Sequence, residues 1–317
     1  MKLLGRTVEE YVSGSIQLAT LLEVSAHPKP GNVHRTADFD DTKYEHFLAS
    51  AVAIGHALRD ASARGAQVSS GKINFEQVGI GRIVLDAVSA MMSWQHGGNT
   101  LLGSILLLTP ISVAAGYVWS RPSPSAEKLR NALSEVTRSS TAQDAVLVYD
   151  AIRASKAGGL GSVDRFDVKD DASRAEIVRS GISLLEIFRL SSPYDSISSE
   201  WVSDFKITFE LGLPFFVRET REGSNCNDAT VHVFLKILST VPDTLIARKA
   251  GVDVAQEILR LAEEVLSAGG LRSEAGIEKL EQLDRKLRSS GRGLNPGTTA
   301  DLTASSLAVA ILDGYRP

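Results

Sequence analysis

Three short polar clusters each precede an apolar helical run: Gly97-Gly98-Asn99-Thr100, Val241-Pro242-Asp243-Thr244 and Asn295-Pro296-Gly297-Thr298-Thr299-Ala300-Asp301. The first turn of a helix carries unpaired backbone N–H groups and the positive end of the dipole, so such openings suit anions. Asn99, Thr100, Thr244, Asn295 and Thr298 are the candidate phosphate-binding residues there. Arg248 and Lys249 follow Asp243-Thr244 closely, with Thr244 and Arg248 on one helix face. Lys29 stands between two prolines in Pro28-Lys29-Pro30-Gly31, a stiff loop that presents one point charge. Asp41, Asp243 and Asp301 supply hard carboxylate oxygens, which Mg²⁺ takes together with substrate phosphates. These residue types point to a metal-assisted pocket for a phosphate-rich ligand, in which the acids are the candidate catalytic and metal groups.

The same residues also describe ordinary helix ends. Thr42-x-x-Glu45, Thr240-x-x-Asp243 and Thr298-x-x-Asp301 have capping-box spacing, and an acid in a first turn is favoured by the dipole alone. Pro28-Lys29-Pro30-Gly31 equally ends the first helix with Lys29 in solvent. Other chemistries find no support. The histidines at 27, 34, 46, 56, 96 and 232 lack zinc-type spacing, and there is neither a Walker loop nor a dinucleotide glycine fingerprint. Gly158-Gly159-Leu160-Gly161 follows no strand, so it is a poor phosphate loop. Cys226 has no catalytic partner within its own motif.

Helices must position these groups, because the apolar periodicity is helical almost throughout. An amphipathic run begins at the box Thr7-Val8-Glu9-Glu10 and continues through Leu18, Leu21, Leu22 and Val24. Further helices are expected at about 42–62, 76–95, 99–119, 125–139, 141–155, 174–191, 195–211, 225–239, 242–250, 252–268, 273–289 and 298–313. Ile207-Thr208-Phe209 and Phe215-Phe216-Val217 are the only weak strand candidates, and Pro214 between them argues against a sheet. Breaks are expected at Pro28–Asp40, Ala63–Asn74, Arg121–Ser125, Ala157–Ala172 and Gly212–Asn225. No repeat or linker divides the chain, which predicts one all-α domain over 1–317.

Composition narrows the class. A net charge of −4 gives no basic face for nucleic acid, so any phosphate must be held by a few local cations. One cysteine excludes an internal disulfide framework and suits the reducing cytoplasm. The first ten residues meet Glu9 and Glu10 too soon for a signal peptide. Gln95–Ser120 contains no Asp, Glu, Lys or Arg, and Leu101–Trp119 is long enough to span a bilayer. Pro110, Gly103, Ser104, Ser112 and the polar mouth Asn99-Thr100 favour a helix buried by protein on all sides, with no membrane partner.

Taken in chain order, the motifs resemble the triphosphoribosyl-dephospho-CoA synthase family, all-helical transferases that make the prosthetic-group precursor of citrate and malonate lyases/decarboxylases. Glu23 followed by Pro28-Lys29-Pro30-Gly31 is similar to that family's Glu…Pro-Lys-Pro-Gly start, and Asp41 falls where it has an Asp-Met pair. Asn99-Thr100-x-x-Gly103-Ser104-Ile105 resembles its Asn-Thr-x-x-Gly-Ser-Ile stretch. Asp243-Thr244 resembles Asp-Thr-Asn, and Pro296-Gly297 with Ala300-Asp301-Leu302 resembles Pro-Gly-Gly-x-Ala-Asp-Leu. The chain departs from the pattern at His34, Leu102, Leu245, Lys249-Ala250-Gly251 and Gly159–Asp164, which marks a divergent branch.

The resemblance implies that ATP is cleaved at its N-glycosidic bond, releasing adenine, and that the triphosphoribosyl group passes to the ribose 2′-hydroxyl of dephospho-CoA. It implies that Glu23, Asp41, Asp243 and Asp301 share metal binding, cation stabilisation and the base role. Lys29, Lys249 and the helix entries at Asn99-Thr100 and Thr298 would hold phosphate. Two other classes fit the same residues: a helical transferase or hydrolase of another nucleotide or phosphoribosyl compound, and a non-catalytic nucleotide-binding regulator.

Overall fold

The computed structural model describes residues 5–158, 165–289, 291 and 293–317. In chain order its helices are α1 (Val8–Ser25), α2 (Tyr44–Ala53), α3 (Gly55–Ser69), α4 (Ile80–Trp94), α5 (Leu102–Trp119), α6 (Ala126–Arg138), α7 (Ala142–Ala154) and α8 (Asp171–Ser180). There follow α9 (Leu184–Ser191), α10 (Ser196–Val202), α11 (Leu213–Arg221), α12 (Cys226–Leu238), α13 (Thr244–Ala250), α14 (Val252–Ser267), α15 (Glu274–Arg288) and α16 (Gly297–Leu312). Among the described residues there is no strand, only an isolated bridge between His34 and Ala37. The all-α expectation therefore stands.

Its details change. The run expected at 42–62 divides at Ile54 into α2 and α3, and the one at 174–191 divides into α8 and α9. Both weak strand candidates are helical. Ile207-Thr208-Phe209 belongs to a π-helical turn, Ile207–Gly212, and Phe215-Phe216-Val217 lies in α11. The break expected across Gly212–Asn225 is correspondingly shorter, because the π turn runs directly into α11 with Pro214 in its first turn. Buried Glu200 fastens the π turn: it accepts hydrogen bonds from the backbone N–H groups of Ile207 and Thr208 and from the Thr208 hydroxyl. The glycine-rich stretch Gly159–Asp164 lies outside the described residues.

The break expected at Ala63–Asn74 also starts later, since α3 continues to Ser69. Gly65 is what lets it lie against α5: a Cβ there would meet the Val113 carbonyl oxygen at 2.0 Å, and one on Gly116 would meet the Ser62 carbonyl oxygen at 2.0 Å. Two bare backbones thus cross in contact. α5 lies at the centre, packed by α1, α3, α4, α6, α10 and α16, and 89% of this bilayer-length helix is buried inside the protein. Pro110 cannot give an N–H to the Leu106 carbonyl one turn back, and the indole Nε1–H of Trp201 donates to that oxygen instead at 2.9 Å. A second apolar cluster, including Val231, Phe234, Ile258 and Leu283, lies under α12, α14 and α15. The first and last helices pack side by side, with the Tyr11 hydroxyl donating to the Leu312 carbonyl at 2.9 Å.

Candidate active site

The openings of α5, α13 and α16 and the end of α1 converge on one cavity of about 1090 Å³. At its floor α5 and α16 touch. A Cβ on Gly103 would lie 2.0 Å from Asp301 Oδ2, so only glycine admits the carboxylate here. The Ser104 hydroxyl donates to Asp301 Oδ1 at 2.5 Å. Burial pushes the Asp301 carboxyl up to about 8; the Ser104 hydrogen bond opposes this, while the Glu23 and Asp243 carboxylates add to it. An acid held in that state keeps its proton at neutral pH and becomes a proton acceptor only once a bound cation or a rise in pH ionises it.

Glu23, in the last turn of α1, is buried and paired with Lys29. Burial pushes the carboxyl up and the ammonium down, and their mutual attraction opposes both shifts. Lys29 is wholly enclosed, its ammonium 5.9 Å from the Phe234 ring centre. It stands behind the cavity wall, where it holds Glu23.

Asp243 is the cap of α13 and also a clasp. Its Oδ1 accepts from the backbone N–H groups of Leu245 (2.9 Å) and Ile246 (3.0 Å). Its Oδ2 accepts from the Thr299 backbone N–H and hydroxyl, each at 2.8 Å. The Thr244 hydroxyl donates to Thr298 Oγ1 at 3.3 Å and accepts from the Ser196 N–H, so a second tie links the same two helix openings. None of the three box spacings near these acids forms a box in its expected place. Asp243 is itself the cap, α16 begins after Pro296, and Lys43 precedes α2. The Thr42 hydroxyl instead bonds Gly97 O at 3.1 Å and Asp41 Oδ1 at 3.3 Å, bringing the loop of Asp41 to the loop before α5.

Glu23, Asp41, Asn99, Thr100, Asn295, Thr298 and Asp301 line the cavity, with Arg248 and Lys249 on the same wall; Lys29, Asp243 and Thr244 do not line it. Asn99 Oδ1 accepts from the Leu102 N–H, the first of α5, at 3.0 Å, and the Thr100 hydroxyl is 2.7 Å from that of Ser50. Arg248 pairs with Asp195 at 2.7 Å. Asn295 Oδ1 is buried without a hydrogen-bond partner, a cost that a ligand donor would remove. Among the described residues no group of three His, Cys, Asp or Glu is placed to hold a metal ion.

Sequence reasoning missed the rest of the lining. Asn32 faces the floor, and its loop is held by Arg288, which donates to Asn32 O at 2.5 Å and pairs with Asp284 at 2.8 Å. Gly103 and Ser104 were visible only as part of the Asn-Thr-x-x-Gly-Ser spacing. Tyr149, Phe166, Phe188 and Tyr194 line the cavity as well, and at helical or loop spacing they carry no signal that separates them from core.

Comparison with known proteins identifies the family. Residues 9–317 match the family model for CitG, ATP:dephospho-CoA triphosphoribosyl transferase. The chain is 24% identical over 301 residues to the 2-(5''-triphosphoribosyl)-3'-dephosphocoenzyme-A synthase of Klebsiella pneumoniae, covering 94% of this chain and 89% of that protein. A stretch of 113 residues is 34% identical to a Pseudomonas syringae pv. tomato protein named a probable synthase of the same kind, and spans 36% of this chain and 37% of that relative's length. A solved crystal structure from Archaeoglobus fulgidus, assigned by name to triphosphoribosyl-dephospho-coA synthase, superposes with a TM-score of 0.63 at 31% identity, over 86% of this chain and 100% of that one. With the matched motifs set around one cavity and the family model spanning nearly its whole length, the chain belongs to the ATP:dephospho-CoA triphosphoribosyl transferase family.

Proposed function

We propose that this chain transfers the triphosphoribosyl group of ATP to the 2′-hydroxyl of dephospho-CoA, with Mg²⁺. The observation that carries the reading is the half-buried acid Asp301, held against Gly103 and Ser104 at the floor of a cavity on which three helix openings converge. In the reaction the bond between the ribose carbon and the adenine nitrogen breaks, and its electron pair leaves with adenine. A new bond forms from that carbon to the acceptor oxygen, and the hydroxyl proton passes to a carboxylate. Asp301 suits that last role once ionised, since its carboxyl is pushed to about 8 and faces the cavity. Glu23, fixed by Lys29, supplies negative charge beside a developing positive sugar carbon.

The acids fit a divalent cation in one respect: burial and neighbouring carboxylates disfavour charge on Asp301, and a cation would relieve this. One or two of the lining acids Asp301, Glu23 and Asp41 would hold Mg²⁺, with phosphate oxygens completing its shell. Bound there, Mg²⁺ would neutralise phosphate charge. The backbone at the α5 and α16 openings, Arg248 and Lys249 would hold the triphosphate. Asp243 and Thr244 act through position, by fastening the α13 and α16 openings together. A cytoplasmic site of action suits a chain with one cysteine.

The test is direct. The full chain is incubated with ATP, Mg²⁺ and dephospho-CoA, and free adenine is quantified beside the mass of the acceptor product. Adenine and a triphosphoribosylated product in equal amounts are expected; an acceptor of unchanged mass would sink the proposal.

A further inference from the structure

The cavity is larger than its acidic floor requires. A volume of about 1090 Å³ stands at the top of the range for single small-molecule pockets, roughly 300–1,000 Å³. Gly103 and Ser104 on α5 face the floor, but at Leu106, three residues and ~4.5 Å further along the helix, the lining changes character. From there it is built of Tyr149 and Ile152 on α7, Phe166, Phe188 and Leu190 on α9, and Tyr194. The wall is braced from behind. Phe188 meets Trp201 edge-on at 5.1 Å, and the Tyr149 hydroxyl donates to the Phe166 carbonyl at 2.6 Å.

One feature separates this wall from ordinary core. Leu190 and Tyr194 are 54% and 49% exposed, although both are large and apolar and both border the cavity. Lys156 and Phe166, which also line it, hold left-handed backbones at φ 52 and 57. The same angles occur away from the cavity at Ser123, Asp204 and Phe205, so the exposure of Leu190 and Tyr194 is what sets the wall apart. Arg165 lies over the Phe166 ring at 4.5 Å and pairs with Glu176 at 2.8 Å; Lys156 is the second cation at the edge of this surface, and Asp167 and Asp195 border the same cavity.

We propose that this apolar, cation-edged wall is the acceptor subsite, which takes the adenine, diphosphate and long uncharged arm of dephospho-CoA. The assignment rests on the transferase reading above. The two substrates differ in what they ask of a surface. The group that ATP gives away is a sugar and a triphosphate, without apolar area, and its complement is the floor of carboxylates and helix openings. The acceptor brings an aromatic base, two phosphates and a long uncharged arm of amides and aliphatic segments, which match stacking rings, two cations and aliphatic side chains. Because α5 carries both surfaces within one turn, an acceptor lying on the wall has its ribose hydroxyl beside the floor.

Leu190→Ala and Tyr194→Ala test this, since both side chains are half exposed and their loss leaves the core intact; melting temperatures confirm that. ATP with Mg²⁺ and dephospho-CoA are titrated separately into the full chain by calorimetry. Tyr194→Ala is expected to weaken dephospho-CoA at least tenfold and ATP less than twofold, and Leu190→Ala to shift in the same sense. Asp301→Asn is expected to do the reverse. ATP weakened as much as dephospho-CoA, or dephospho-CoA unchanged in both variants, would overturn the assignment. A wild-type chain that binds both ligands as described but releases no adenine would overturn the transferase reading and leave the subsite supported.

Discussion

Asp243 is a buried acid and Asp301 a half-buried one, both near a helix opening, and the structure gives them different work. Asp301 has one hydroxyl partner and faces the cavity. Its replacement by Asn should reduce the rate by about 10²–10³, as for loss of one electrostatic group. In metal-free protein its carboxyl holds a proton to about pH 8, whereas the unfolded chain releases it near 3.8. The native state therefore binds more protons across that interval, and stability falls as pH rises through it. Melting temperatures of the chelated protein between pH 5 and 9 should decline, and Asp301→Asn should flatten that decline; an equal slope in both would contradict it. Asp243, by contrast, already accepts four hydrogen bonds. Asn in its place sets an NH₂ against an N–H, so Asp243→Asn should lose roughly 1–3 kcal/mol of stability in a urea titration. A variant as stable as wild type would remove the clasp role. The sequence showed Asp243 as a helix-entry acid, yet could not show that it reaches Thr299, 56 residues away. Lys29 was legible as a stiffly held cation but not as a buried one. Lysine is almost never enclosed, and its partner Glu23 lies six residues upstream, outside the usual pair spacings.

At the scale of elements, the crossing of α3 and α5 and the loop after α1 set the site's frame. Gly116→Ala forces a Cβ onto the Ser62 carbonyl and should cost about 1–3 kcal/mol or more, read as a fall in denaturation midpoint. The loop bearing Asn32 is clamped from α15: Arg288 reaches Asn32 O, and Asp284 accepts from the Gly31 N–H at 2.8 Å. His34 lies in this clamp, and burial, with Arg288 and Lys29 nearby, lowers its pKa to about 3. The unfolded chain protonates it near 6.5, so its contribution is complete above that pH and is lost as pH falls toward 3. Wild type should lose melting temperature more steeply than His34→Asn on acidification from pH 7 to 4; parallel curves would rule that out. Most helices were legible from 3.6-residue periodicity. The π turn was not, because its register is fixed by Glu200 and by the Thr208–Ser305 hydroxyl contact at 2.6 Å from α16, which no local pattern encodes.

For the whole molecule, ligand and fold are linked. A ligand at a hundred times its dissociation constant stabilises the native state by about 2.7 kcal/mol, which should raise the melting temperature by a few degrees. ATP with Mg²⁺ should produce that rise and ATP with a chelator should not; equal rises would remove the metal from the site. The central helix was readable because a 26-residue stretch without a charge has to be enclosed by something, and Pro110 and the small polar residues indicated protein. The aromatic wall was unreadable, since Tyr149 and Phe188 sit on amphipathic helices whose apolar stripe serves core and cavity alike.

The contact between α5 and α16 also fixes an order of events during synthesis. Ser104 and Asp301 are 197 residues apart, so at 5–20 residues per second a ribosome takes roughly 10–40 s to pass from one to the other. Throughout that interval the most apolar helix of the chain has emerged without one of the helices that will cover it. A nascent chain must therefore keep α5 from other chains, by provisional packing against α3 or by a chaperone. Nor can it act on nucleotide before α16 arrives, because the floor of the cavity does not yet exist.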